Sequence, residues 1–136
     1  MPFIIDASVA LAWHFEDESS EYADRVLERL REDRVAVPSI WPLEVANALL
    51  IAERRGRLSP AKVAQAIEVT LEVPIYIHEV PAEMAFGPVL DLARAQGLSA
   101  YDAAYLELAM REGLPLATQD EALRAAAQRV GVPLVD

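Results

Sequence analysis

Four carboxylates, Asp6, Glu44, Asp102 and Asp120, each stand where an apolar run ends or an amphipathic segment begins. In an open α/β sheet, those are the positions that converge on one crevice. Four acids in one crevice repel each other unless a multivalent cation neutralises them. An oxygen-only donor set selects hard cations, Mg²⁺ or Mn²⁺, ahead of zinc or copper. Such ions keep several waters, and one of those can become the nucleophile for a phosphodiester. The implied chemistry is in-line phosphoryl hydrolysis with the developing charge stabilised by the metal.

Taken singly, each acid also has an ordinary explanation. Asp6 suits the cap of a helix opening at Ala7–Ser8, and Asp120 suits the cap of the last helix. Glu44 follows Pro42 in a first helical turn, where an acid favours the macrodipole. Asp102 is third after Ser99, as a capping box requires. The joint arrangement favours a site. Asp6 ends the first apolar run and Thr118-Gln119-Asp120 ends a late one, so the two flank a topological switch point. The stretch Ser99-Ala-Tyr-Asp-Ala-Ala-Tyr105 is apolar on nearly every side, which places Asp102 in a pocket rather than in water.

Secondary candidates surround the quartet. Ser8, two residues after Asp6, has a hydroxyl for a ligand or a phosphate. Thr118 would orient Asp120 or a metal-bound water. Both also read as backbone caps. Asn47, one turn after Glu44, faces the same way as a substrate contact or a structural amide. His14 and His78 fall on different elements, so a metal-free mechanism with paired histidines is not indicated and both are read as structural. Trp13 and Trp41 are read as core or interface.

The elements that must position these residues follow from periodicity and breakers. Phe3–Asp6 is a buried first strand and Ser8–Phe15 a short helix. Ser19 or Ser20 caps the next helix, with Ala23, Val26, Leu27 and Leu30 inward. Val35–Val37 is a second strand, closed by Pro38. A helix over Ile40–Arg55 carries Val45, Ala48, Leu49 and Ala52 inward and ends at Gly56. Ser59–Pro60 starts another, with Val63, Ala66 and Ile67 inward. Ile75–His78 is a third strand. Ala82–Gln96 shows Phe86, Val89, Leu90 and Ala93 at helical spacing, with Gly87–Pro88 kinking or delaying it. Ser99 opens a helix to about Arg111, Leu114–Thr118 is a fourth strand, and a last helix has Leu123, Ala126, Ala127 and Val130 inward. Pro133–Val135 adds a fifth short strand. Strands alternating with helices imply a mostly parallel sheet covered on both faces. The expectation is one three-layer α/β/α domain over residues 1–136.

Composition bounds the function. With 136 residues the chain is long enough for a core, and without cysteine it has no disulfide, thiolate nucleophile or zinc–thiolate site. No apolar run is long enough to span a membrane and no leader is read, so a soluble, cytoplasmic protein is expected. No Gly-rich phosphate loop is present. The net charge of −10 argues against nonspecific nucleic-acid binding through phosphates and suits a basic protein partner. A nucleic acid would need a metal bridge or a local patch. The best patch is Arg54, Arg55, Arg57 and Lys62, which also reads as a solvated helix end.

Four stretches together resemble the PIN-domain ribonucleases, specifically the VapC-type toxins of toxin–antitoxin pairs. They are Ile4-Ile5-Asp6-Ala7-Ser8-Val9, Pro42-Leu43-Glu44-Val45-Ala46-Asn47-Ala48-Leu49, Leu98-Ser99-Ala100-Tyr101-Asp102-Ala103-Ala104-Tyr105 and Pro115-Leu116-Ala117-Thr118-Gln119-Asp120. The resemblance implies a five-stranded parallel sheet in the order 3-2-1-4-5, Mg²⁺- or Mn²⁺-dependent cleavage of RNA, and homodimerisation. It implies acidic metal ligands at Asp6, Glu44, Asp102 and Asp120, hydroxyl roles for Ser8 and Thr118, and an antitoxin that blocks the acidic pocket with a basic tail.

Two other classes stay open. A phosphoacceptor domain also gathers acids at strand ends, but it needs a lysine at the end of a late strand, and Lys62 lies on a middle helix. A phosphatase with an aspartyl nucleophile wants a second Asp where Ser8 stands. A PIN-fold interaction domain without chemistry is the third reading, and uptake of Mn²⁺ separates it from an enzyme.

Overall fold

The computed structural model describes residues 2–136. Four strands, β1 (Phe3–Ile5), β2 (Val35–Pro38), β3 (Ile75–His78) and β4 (Leu116–Ala117), form one parallel sheet in the order β3-β2-β1-β4. All three residues of β1 are buried, and the strand pairs with β2 on one side and β4 on the other. An apolar run buried on both faces is what a central parallel strand requires. The chain leaves β1 towards β2 on one side and later returns to β4 on the other, so the carboxyl ends of β1 and β4 flank the switch point.

The helices are α1 (Ala7–Ala12), α2 (Glu21–Arg29), α3 (Trp41–Arg54), α4 (Pro60–Glu72), α5 (Ala82–Met84), α6 (Leu90–Gln96), α7 (Ala100–Glu112) and α8 (Glu121–Val130), with a short 3₁₀ turn at Glu16–Glu18. Their starts obey the capping rule: Ser20, Ser59 and Ser99 accept from the amides of Ala23, Lys62 and Asp102 at 3.0, 3.2 and 3.1 Å. Helix α7 is buried without interruption from Ala103 to Ala109 and packs on β1, β2, α6 and α8. Gly113 ends it in the left-handed region, φ 65°, and turns the chain towards β4. Phe3, Ile4, Ile5, Leu49, Tyr105, Leu106, Leu108, Leu116 and Leu123 are among the largest fully buried side chains.

Among the described residues the sheet has four strands rather than five. Pro133–Val135 lies in the expected place, but as a single parallel bridge between Leu116 and Leu134. Two backbone bonds support it, Leu116 N–H to the Pro133 carbonyl and Val135 N–H to the Leu116 carbonyl, each 2.9 Å. Pro115 and Pro133 have no amide hydrogen, which limits the ladder on both sides. The Ala82–Gln96 segment also departs from a regular helix. A π turn over Ala85–Val89, containing Pro88, joins α5 to α6. The wider turn rotates the inward stripe: Val89 and Ala93 stay buried while Phe86 is 77% exposed. Leu27 and Ile67, also expected inward, are exposed. On α4 only Ala66 is buried, since this helix covers the rim of the core rather than its centre.

Candidate acidic active site

Asp6 follows directly on β1 and is 4% exposed. Its Oδ1 accepts from the Ser8 hydroxyl at 2.7 Å and from the Val9 amide at 3.3 Å, so it does cap α1. Its Oδ2 accepts from the Thr118 hydroxyl at 2.5 Å. Each of those hydroxyls is itself held by the loop after β4: the Gln119 amide donates to Ser8 Oγ at 3.2 Å, and the Asp120 amide donates to Thr118 Oγ1 at 3.0 Å. Both carboxylate oxygens of Asp6 are thereby oriented through hydroxyls that the adjacent strand's exit fixes. Each oxygen still has lone-pair capacity for a further partner.

Burial pushes the Asp6 carboxyl up to about 6, against the bonds from Ser8, Thr118 and Val9 that pull it down; the charge of Asp102 adds a smaller upward push. Asp102, half-buried at the start of α7, is raised by burial first and then by the charges of Asp120 and Glu44, while the Ser99 hydroxyl pulls it down. Asp120 stands near enough to Asp102 for its charge to oppose ionisation there. Asp102 is thus the common neighbour, coupled to each of the other three acids. The structure brings the quartet to one edge of the sheet.

The capping alternatives divide. Asp6 is both cap and cluster member. Asp120 occupies the cap position of α8, yet its side chain makes no capping bond. Asp102 donates its amide N–H to the capping hydroxyl of Ser99. Glu44 turns from its helix to Tyr105, whose hydroxyl donates to Glu44 Oε1 at 2.5 Å. Among the described residues, no three acidic or histidine side chains stand close enough to form a ready-made ligand set for one ion. The chemistry of the donors, all carboxylate oxygens, with burial and like charge opposing ionisation at Asp6 and Asp102, fits a hard divalent cation.

Residues 3–129 match the family model of the PIN domain. This chain belongs to the PIN-domain family. Ribonuclease VapC3 of Pyrobaculum aerophilum is 31% identical over 127 residues, covering 90% of this chain and 92% of that one. A Ribonuclease VapC3 of Mycobacterium tuberculosis is 33% identical over 108 residues, covering 79% and 76%. Among solved structures, a protein from Pyrobaculum aerophilum superposes on this PIN domain with a TM-score of 0.70 at 28% identity, covering 93% and 79% of the two chains. VapBC2 of Rickettsia felis, solved with a DNA fragment from its promoter, shares the fold at a TM-score of 0.67 and 14% identity, over 99% and 98%.

Other residues of this PIN domain sort themselves by their contacts. Asn47 is exposed on α3 and enters none of the hydrogen bonds of the acid cluster. Arg57 is not free surface charge: it pairs with Asp17 at 2.9 Å and lies 4.5 Å from the centre of the Phe15 ring. The basic patch is therefore partly consumed in holding the 3₁₀ turn. His14 meets the Thr70 hydroxyl at 3.1 Å and His78 lies 3.4 Å from Glu112, on separate elements. Trp41 is core, with an indole N–H that finds no acceptor.

Three contributors to the site show no link to it in the sequence. Tyr105 reads as one more apolar residue of α7. Arg124 donates to the Thr118 carbonyl at 2.8 Å and lies 5.3 Å from the Tyr22 ring centre, which braces the β4 exit. Ser20 caps α2 and also donates to the Gln119 side chain at 2.7 Å. The i, i+3 spacing of Asp102 and Tyr105 on one helix and the cap position of Ser20 are the local signals, and neither shows the link to the acidic cluster.

Proposed function

We propose that this PIN domain is a Mg²⁺- or Mn²⁺-dependent endoribonuclease, hydrolysing RNA phosphodiester bonds as the toxin of a toxin–antitoxin pair. The observation that carries the reading is the buried, reluctant carboxylate of Asp6 with Glu44 and Asp120 gathered around Asp102 at the switch point. Curated relatives over 30% identical that are named ribonucleases support the substrate.

Asp6, Glu44, Asp102 and Asp120 would hold the ion. When bound, it orients and activates a water and offsets charge developing on the phosphate. Ser8 and Thr118 fix both oxygens of Asp6, so the carboxylate needs no reorganisation when charge develops. Thr118 also receives the Asp120 amide, which ties the first and last acids together. Asn47, exposed one turn beyond Glu44, would meet the RNA chain beside the acids.

A net charge of −10 suits an antitoxin with a basic tail. Exposed Leu43, Phe86 and Tyr101 offer apolar surface for a homodimer. Among the described residues no helix is long and apolar enough to cross a membrane, and a toxin acting on RNA within the cell would work in the cytoplasm. The whole of residues 1–136 is read as one PIN domain.

The test is digestion of total RNA with and without Mg²⁺, followed by end mapping. Cleavage should need the cation and vanish in Asp6→Asn with the fold intact. Cleavage that persists in excess chelator overturns the proposal.

A further inference from the structure

We infer that Tyr105 is a positioning residue for the acidic centre: its hydroxyl, donating to Glu44 Oε1, fixes the Glu44 carboxylate beside Asp102 and leaves Oε2 available to an ion. The inference rests on the metal-centre reading above and adds a residue to it.

Tyr105 is 1% exposed, so its hydroxyl cannot reach an RNA strand and acts only through another group. A buried phenol must find an acceptor, and this one finds a carboxylate at 2.5 Å across 61 residues of chain, joining α7 to α3. Burial, followed by the bond to Glu44 and the nearby charges, pushes its ionisation far upward, so it remains a donor.

Glu44 needs such a partner. It is half-buried, and Asp102 beside it is a like charge. A glutamate held by nothing would turn away from that charge into water, where its side-chain entropy is also greatest. Asp102 and Tyr105 stand three residues apart on one face of α7. One helix therefore supplies an acid and the strut that keeps the neighbouring acid next to it.

The experiment is calorimetric titration with Mn²⁺ of the wild-type protein, Tyr105→Phe, Glu44→Gln and the double variant, with melting in chelator measured alongside. In Tyr105→Phe the dissociation constant should rise about 10- to 100-fold, the range for loss of a group orienting a ligand. In the Glu44→Gln background the same change should have little further effect. A Tyr105→Phe protein that melts earlier but binds Mn²⁺ as the wild type does would reduce Tyr105 to packing. Additive losses in the double variant would show that it does not act through Glu44. Should Tyr105→Phe not fold, Glu44→Asp withdraws the carboxylate from the same hydroxyl while the core stays filled. A comparable loss of Mn²⁺ affinity is then expected, and an unchanged affinity refutes the assignment. Failure of the wild-type protein to take up Mn²⁺ overturns the metal centre itself, a separate result from failure of the variant alone.

Discussion

Asp6→Asn should stabilise the folded protein at neutral pH in chelator while abolishing its chemistry. The Asp6 carboxyl moves from 3.8 to about 6 on folding, chiefly because burial penalises its charge. That shift of about 2 pKa units corresponds to about 3 kcal/mol of destabilisation at pH 7. The sign is opposite to that of an acid in a salt bridge. Between the unfolded and folded pKa values the native state holds the extra proton, so stability falls as pH rises through that window and levels off above about 6. From about pH 5 to about pH 8, the part of the change owed to Asp6 is about 1 kcal/mol. Asparagine keeps one acceptor oxygen but turns an amide group towards either Ser8 or Thr118, which costs about 1 kcal/mol for the lost bond. The net gain at pH 7 is then about 2 kcal/mol. Urea unfolding of both proteins in chelator across this pH range gives the difference profile, in which the remaining titrating groups cancel. A flat profile, or a less stable Asp6→Asn at neutral pH, would show that burial does not oppose this charge.

Thr118→Val preserves shape and removes the hydroxyl that joins Asp6 to the Asp120 amide, leaving two buried groups unpaired. Chemical denaturation should show a loss of about 2–3 kcal/mol, and the Mn²⁺ affinity should fall with it. Asp102→Asn removes the charge shared by the other three acids. It should melt higher than the wild type in chelator and lose the rise in melting temperature that millimolar Mn²⁺ gives the wild type; a lower melting point in chelator would make Asp102 a cap rather than a repelled acid.

Much of the architecture was legible because local signals and long-range order agreed. The Ile4-Ile5-Asp6 ending of β1, the serine caps before α2, α4 and α7, and the alternation of strands with helices all lead to the observed parallel order. Where they failed, geometry outside the window decided. Phe86 sits at helical spacing, but the π turn at Pro88 displaces the face it belongs to. Arg57 looks like loose positive charge until the fold brings Asp17 and Phe15 to it. The acids were readable as types at strand ends and helix starts. Their holders were less so: Ser8 and Thr118 were within two residues of an acid, whereas Tyr105 and Arg124 act from helix interiors where their types suggest core and surface.

The bond from Thr118 to Asp6 spans 112 positions of sequence. During synthesis, the first acid of the centre emerges early and waits, without its second hydroxyl and without Asp120, until the ribosome has released nearly everything that follows. An acidic cluster built from both ends of the chain is in this way assembled last and all at once. A nascent chain cut short before β4 holds Asp6 without Thr118 and Asp120, so one oxygen of that carboxylate lacks its hydroxyl partner.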